Sequence, residues 1–265
     1  MLFAHMLCTE KRRLTYRHMV VALIALLNIL PLHAKETITV AVAANLRSAF
    51  VELALAFEQQ TGIEAQASFS ATGKLATQIR QGAPFHLLLA ADSDTPRRLH
   101  ADGYALLPAR PYATGVLVLW TTRTLNLHDW PALVQSERVQ HIAIANPATA
   151  PYGMEAMRVL QHYKLLPLVQ HKLVYGESIG QTDQFIASGA ADLGFTAKSS
   201  VLASTQAEPH QWLELPANNY RPIIQSAILL RHAGEHQRAA AERFFVFLFS
   251  PSAQTLLQQH GYLAP

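Results

Sequence analysis

From residue 35 onward, short aliphatic and β-branched runs alternate with segments whose apolar residues recur at helical spacing, and this alternation constrains the fold most. The run "ITVAVAA" (38–44) suits a buried strand, and Leu46, Phe50, Leu53 and Phe57 then share one helical face that Gly62 is placed to end. Residues 63–69 and 86–91 read as two further strands, each followed by a helix; the first helix carries Leu75 and Ile79, and the second opens at Asp94-Thr95-Pro96. The pattern resumes with strands at 115–122, 141–146, 172–176 and 191–197 and helices near 152–163 and 180–188. A long strand at 222–230 precedes closing helices around 235–249 and 251–260. Such alternation predicts an α/β fold with largely parallel strands. The strands near 115–120 and 223–229 fall where the chain can cross between two lobes. One lobe would combine residues 35–114 with 223–265, and the other would hold 115–222.

Residues 1–34 carry an export pattern. Lys11, Arg12, Arg13 and Arg17 precede the uncharged apolar run "MVVALIALLNILPL" (19–32), and "LHA" ends at Ala34 before a polar stretch. The apolar run is shorter than the roughly 20 residues that span a bilayer, so a cleaved signal is the expected reading over an anchor. Arg12-Arg13 fits a twin-arginine signal poorly, and Met6 is an alternative start. This segment holds four of the 21 Lys and Arg and one of the 18 Asp and Glu, which leaves 17 of each. The formal charge of +3 therefore belongs to the leader, and the remaining chain offers no basic surface for nucleic acid. Cys8 is the only cysteine and precedes the apolar run, so neither a lipid anchor nor a disulfide, thiolate metal site or cysteine nucleophile is expected in the mature chain.

The stretch "SFSATGKL" (68–75) places Gly-Lys between a strand and a helix, as phosphate loops do. Ser68 stands where such a loop needs its first glycine and Leu75 where it needs a hydroxyl for Mg²⁺, so a nucleotide site is not expected. A helix N-terminus binds anions through unpaired N–H groups and about half a positive charge. Thr72 would add a hydroxyl there and Gly73 close backbone approach; the plainer alternative is that Thr72 only caps its helix while Lys74 faces solvent. Three similar junctions recur: "VAANL" (42–46) with Asn45, "NPATAPYG" (146–153) with Tyr152, and "GESIGQ" (176–181) with Ser178 near the cap. In open α/β sheets these loops gather beyond the carboxyl ends of the strands, so four of them facing one cleft would enclose a small anion.

Other constellations are weaker. His232 and His236 are four residues apart but need not share a helical face, and no tight His/carboxylate set suggests a metal. Asp92 and Asp94 read as strand-end and cap residues. Gly176-Glu177-Ser178-Ile179-Gly180 matches the spacing of a nucleophile elbow, and His260 follows Asp192 in the permitted order, so a secreted serine hydrolase using Ser178 and His260 stays as a rival.

Taken in order, "ITVAVAANL", "TGIEAQASFSATGKLATQIRQGAPFHLLLAADSDTP", "ANPATAPYGMEAM", "GESIGQTDQFIASGAADLGF" and "FLFSPSAQTLLQQHGYLAP" resemble the periplasmic molybdate-binding proteins of ABC import systems, across essentially the whole mature chain. The resemblance implies a two-lobed periplasmic binding protein of type II, without catalysis or cofactor. It would hold molybdate, and tungstate as well, and pass it as a monomer to an inner-membrane permease. It assigns the oxyanion to Asn45, Thr72, Tyr152 and the main-chain N–H of Ile179. Ala197 departs from members with a ligand tyrosine just after the "LGF" strand, and Ala44 from a subset with threonine. The phenol would then come from Tyr152. A receptor for sulfate or phosphate is the nearest alternative. A porphobilinogen-deaminase-like enzyme is disfavoured, since its cofactor needs a cysteine.

Overall fold

The computed structural model of the protein describes residues 35–204, 211–232 and 235–265; the export segment expected at 1–34 and the side chain of His236 lie outside the described residues. The first part of the chain forms β1 (Thr37–Ala43), α1 (Arg47–Thr61), β2 (Glu64–Ser70), α2 (Thr72–Arg80), β3 (Leu87–Leu89), α3 (Asp94–Ala101) and β4 (Arg110–Gly115). The middle forms β5 (Leu117–Trp120), α4 (Trp130–Gln135), β6 (Ile142–Ala145), α5 (Pro151–His162), α6 (Leu166–Val169), β7 (Leu173–Gly176), α7 (Ile179–Ala187), β8 (Leu193–Ala197), α8 (Lys198–Ala203) and β9 (Trp212–Glu214). The chain then returns through β10 (Ile223–Leu229), α9 (Glu235–Phe247) and α10 (Pro251–Gln259).

Two five-stranded sheets result, in the orders β2-β1-β3-β10-β4 and β7-β6-β8-β5-β9. β1 runs parallel to β2, from Thr37 opposite Glu64 to Ala43 opposite Ser70, and parallel to β3. β10 is antiparallel to β3 and β4, and β5 is antiparallel to β8 and β9, so both sheets are mixed rather than parallel. The antiparallel strands are those next to the crossings, where the chain enters a sheet without a βαβ connection. The strand expected at 115–122 is in fact two: Gly115 ends β4 in one sheet, and Leu117 begins β5 in the other. β4 escapes the apolar pattern because it contains Pro111, which only an edge strand accommodates, and β4 is an edge.

Periodicity explains the helices. Ala49, Phe50, Leu53 and Phe57 of α1 are buried, and Gly62 ends it in the left-handed region with its N–H on Glu58 O at 2.7 Å. The C-terminal segment joins the first sheet because α9 brings Phe244 and Phe247 onto α1: Phe57 lies 5.0 Å from Phe244 and 5.5 Å from Phe247, centroid to centroid. Each such ring is worth roughly 1.5–3 kcal/mol buried rather than exposed. A second core, around Trp130, Tyr163 and Phe195, lies beneath the other sheet. Each sheet thus carries a core, the second reaching Ala43, Ala71, Ala91 and Ile223 of the first half, and the helices that follow β1, β2, β6 and β7 begin at the strands' carboxyl ends.

Candidate functional site

Four of these strand-to-helix junctions meet at one small pocket, lined by Ala43, Ala44, Asn45, Ser70, Ala71, Thr72, Ala91, Ala150, Pro151, Tyr152 and Ile179. All four residues selected from the sequence are therefore on its wall, two from each half of the fold. Asn45, Thr72, Tyr152 and Ile179 are each at most 4% exposed, so these four wall residues are buried. No lining residue is charged, and only Asn45, Ser70, Thr72 and Tyr152 have polar side chains. Three helices, α2, α5 and α7, begin at the wall with Thr72, Pro151 and Ile179. Their first-turn N–H groups have no partners inside their own helices, and their dipoles give the cavity a positive potential without a formal charge.

The local caps differ from expectation. Asn45 is not an N-cap, because a 3₁₀ turn, Ala44–Leu46, separates β1 from α1 and places Asn45 inside it. Thr72 is the first residue of α2, with extended Ala71 as its cap. Its Oγ1 accepts from Ala91 N–H at 3.0 Å, which ties β2–α2 to the end of β3 and leaves the hydroxyl proton for another acceptor. Lys74 does not face solvent alone: its ammonium meets the Glu177 carboxylate at 2.8 Å, across the cleft. Gly73 N–H donates to Thr149 O at 2.9 Å, a second bond between the two halves.

Tyr152 reaches the cavity because two glycines make room for it. A Cβ on Gly153 would lie 1.9 Å from Ala145 O, so only glycine lets the first turn of α5 rest on the end of β6. A Cβ on Gly115 would lie 2.0 Å from the Tyr152 hydroxyl, so the phenol occupies the space of an absent side chain. Ala197, where a tyrosine was one alternative, is fully buried in the same core cluster as Tyr152.

Behind the wall is a buried polar network that sequence reading missed. Gln225, fully buried in β10, accepts at Oε1 from Asn45 Nδ2 (3.0 Å) and Tyr112 OH (2.9 Å), and its Nε2 donates to Tyr152 OH (3.2 Å). Asn45 Nδ2 also donates to Tyr262 OH at 3.0 Å, and Tyr262 OH and Ser199 Oγ both donate to Asn45 O, at 2.8 and 2.9 Å. Both amide hydrogens of Asn45 are therefore engaged within the protein. Burial, and then the neighbouring phenols, push the Tyr152 hydroxyl well above its ordinary range, so it stays protonated as a donor. The signal for Gln225 was present, since Gln-Ser interrupts an otherwise apolar strand. Tyr112 sits at a register shift opposite Gln225 and Ser226, a bulge that aims its side chain inward.

The residues considered for hydrolysis are not assembled. His260 Nε2 pairs with Glu52 at 3.0 Å, and Asp192 accepts from Arg123, Gln140 N (2.6 Å) and His141 N (2.9 Å). Ser178 is the cap of α7. Asp92, expected as a strand-end residue, accepts from Thr95 N–H at 2.7 Å, whereas Asp94, expected as the cap, is the first residue of α3 and Ser93 is the cap. Among the described residues no three His, Cys, Asp or Glu side chains cluster as metal ligands.

Residues 38–263 match the family described as bacterial extracellular solute-binding protein. The chain is 38% identical over 226 residues to the molybdate-binding protein ModA of Azotobacter vinelandii, covering 85% of this chain and 89% of that one. It is 37% identical over 235 residues to ModA of Rhodobacter capsulatus, covering 88% and 90%. Among solved structures, the periplasmic molybdate-binding protein of Azotobacter vinelandii superimposes with a TM-score of 0.80 at 34% identity, over 86% of this chain and 99% of that one.

Proposed function

The chain belongs to the family of bacterial extracellular solute-binding proteins, and from that premise we propose that it captures the molybdate dianion in the cavity between its two sheets. It is a binding protein and not an enzyme, as its relatives are. The observation that carries the reading is the cavity wall itself: buried, uncharged, and furnished with donors from three helix starts.

A dianion removed from water needs donors on every oxygen, because an unpaired buried charge is very costly. In this reading Thr72 and Tyr152 give hydroxyl protons, while Asn45 and Ile179 give main-chain N–H groups. Neutral donors hold the charge yet let it go, which suits a carrier. A phenol kept protonated and N–H groups that cannot accept favour a fully deprotonated oxyanion over one that still carries a proton. Tungstate shares the charge, shape and size of molybdate and is expected to bind too; sulfate shares the first two, so cavity size has to exclude it.

We take the two sheets as the cores of two lobes, 35–114 with 223–265 and 115–222, a division supported by the partition of strands between sheets. Ligand bridging both lobes would stabilise the closed form. A periplasmic location and delivery to an ABC importer's membrane permease complete the reading, supported by its likeness to the periplasmic molybdate-binding protein.

Thermal-shift and calorimetric titration with molybdate, tungstate, sulfate and phosphate test the reading. Strong stabilisation by the first two alone is expected, since a ligand at 1,000 times its Kd adds about 4.1 kcal/mol to a folded state that alone binds it. No shift with any of the four, together with esterase activity lost in Ser178→Ala, would replace it with the hydrolase.

A further inference from the structure

We propose that Gln225 is a positioning residue that fixes the Tyr152 phenol as a donor toward the cavity and couples it to the Asn45 turn of the other lobe. The inference rests on the reading that the cavity takes an oxyanion. Gln225 touches no part of the cavity wall's open space; it acts through its neighbours.

The argument is one of hydrogen-bond direction. Gln225 Oε1 is held by two donors, Asn45 Nδ2 and Tyr112 OH, so its amide nitrogen must face Tyr152. The phenol oxygen then accepts, and its proton is turned away from Gln225. Asn45 is held in the same sense, because its Nδ2 also donates to Tyr262, whose own proton goes to Asn45 O at 2.8 Å. Reversing the Gln225 amide would present Oε1 to Tyr152. The phenol would then donate to Gln225 and face the cavity with a lone pair, which an oxyanion repels. A buried chain of this kind has two self-consistent polarities, and the set of donors and acceptors around Gln225 selects the one useful to an anion. The bulge at Tyr112 in β4, opposite Gln225 and Ser226, and the missing side chain at Gly115 bring the amide and the phenol together: a Cβ on Gly115 would lie 2.7 Å from Gln225 Nε2 and 2.0 Å from Tyr152 OH. Gln225 is also the side chain that bonds both to Asn45 on the first sheet's side and to Tyr152 on the second's.

A double-mutant cycle tests this. Gln225→Met keeps the volume and removes both polar ends; Gln225→Glu keeps the acceptor for Asn45 and Tyr112 but turns an acceptor on Tyr152. Each is combined with Tyr152→Phe, with molybdate Kd measured by calorimetry and folding checked by the ligand-free Tm. In the wild-type background Tyr152→Phe is expected to weaken binding at least tenfold. In the Gln225→Met background, itself at least tenfold weaker, the same change is expected to cost less than twofold. If Gln225→Met does not fold, the Gln225→Glu pair carries the same comparison. A purely structural role for Gln225 predicts that Tyr152→Phe costs its full factor in every background, and that result would overturn the inference while leaving the proposed function standing. Wild-type protein that bound no oxyanion would overturn both.

Discussion

Thr72 accepts from Ala91 N–H with its oxygen and, in the proposed reading, gives its proton to the oxyanion, and this division decides what each substitution does. Thr72→Ser keeps both functions and is expected to hold molybdate within about threefold of wild type. Thr72→Ala removes a hydrogen bond to a charged group, worth about 1.5–3 kcal/mol, and so should weaken binding roughly 10- to 150-fold. Equal affinity of the two variants in a calorimetric titration would show that the hydroxyl only braces Ala91. Gly115 is a harder case because it donates nothing. Gly115→Ala should displace the Tyr152 hydroxyl, lowering affinity by about as much as Tyr152→Phe while adding a strain that lowers Tm.

Helix α7 combines a first turn that lines the pocket with a titratable second one. Asp183, half-buried, accepts from Thr196 and Ser200 hydroxyls, and burial outweighs those bonds to push its carboxyl up to about 7 from an ordinary 3.8. The folded chain then holds this proton over a range where the unfolded chain has lost it. Its contribution to stability is present below about pH 4 and is lost as pH rises towards 7. Asp183→Asn keeps the acceptor and removes the charge. The Tm of Asp183→Asn relative to wild type should therefore climb between about pH 4 and pH 7 and level off above that. A difference that stays flat across the series would mean the carboxyl titrates in its ordinary range.

At the scale of the molecule the question is how the lobes stay closed. Gly73 N–H on Thr149 O and the Lys74–Glu177 pair bond the lobes directly, each within two residues of a cavity residue. The Lys74 ammonium holds the Glu177 carboxyl below its usual range. Both ends of that pair are exposed, so its effect is small and screened by salt. Lys74→Ala or Glu177→Ala is expected to speed molybdate release about two- to fivefold at low ionic strength. The difference should fade at about 1 M salt, where the Debye length is near 3 Å. The charge-swapped double variant should restore slow release in stopped-flow fluorescence. Unchanged rates in all three would mean the ion pair contributes nothing to closure.

Alternation of strand and helix is written locally, and so are the anion-ready junctions at Asn45, Thr72, Tyr152 and Ile179; a short window of sequence carries each of them. The lysine of "SFSATGKL" shows the limit of such a window. Its partner Glu177 is about a hundred residues away, and no local pattern pairs them. The same holds for β4, hidden by an edge proline, for the antiparallel insertion of β10, and for Gln225, whose three partners come from residues 45, 112 and 152. The sequence by itself determined which segments pleat or coil and which helix starts can offer donors, because propensity and capping act over a few residues. Only the tertiary structure decided which donors share one cavity and which way their protons point, because burial removes water and forces each polar group to find a partner distant in the chain.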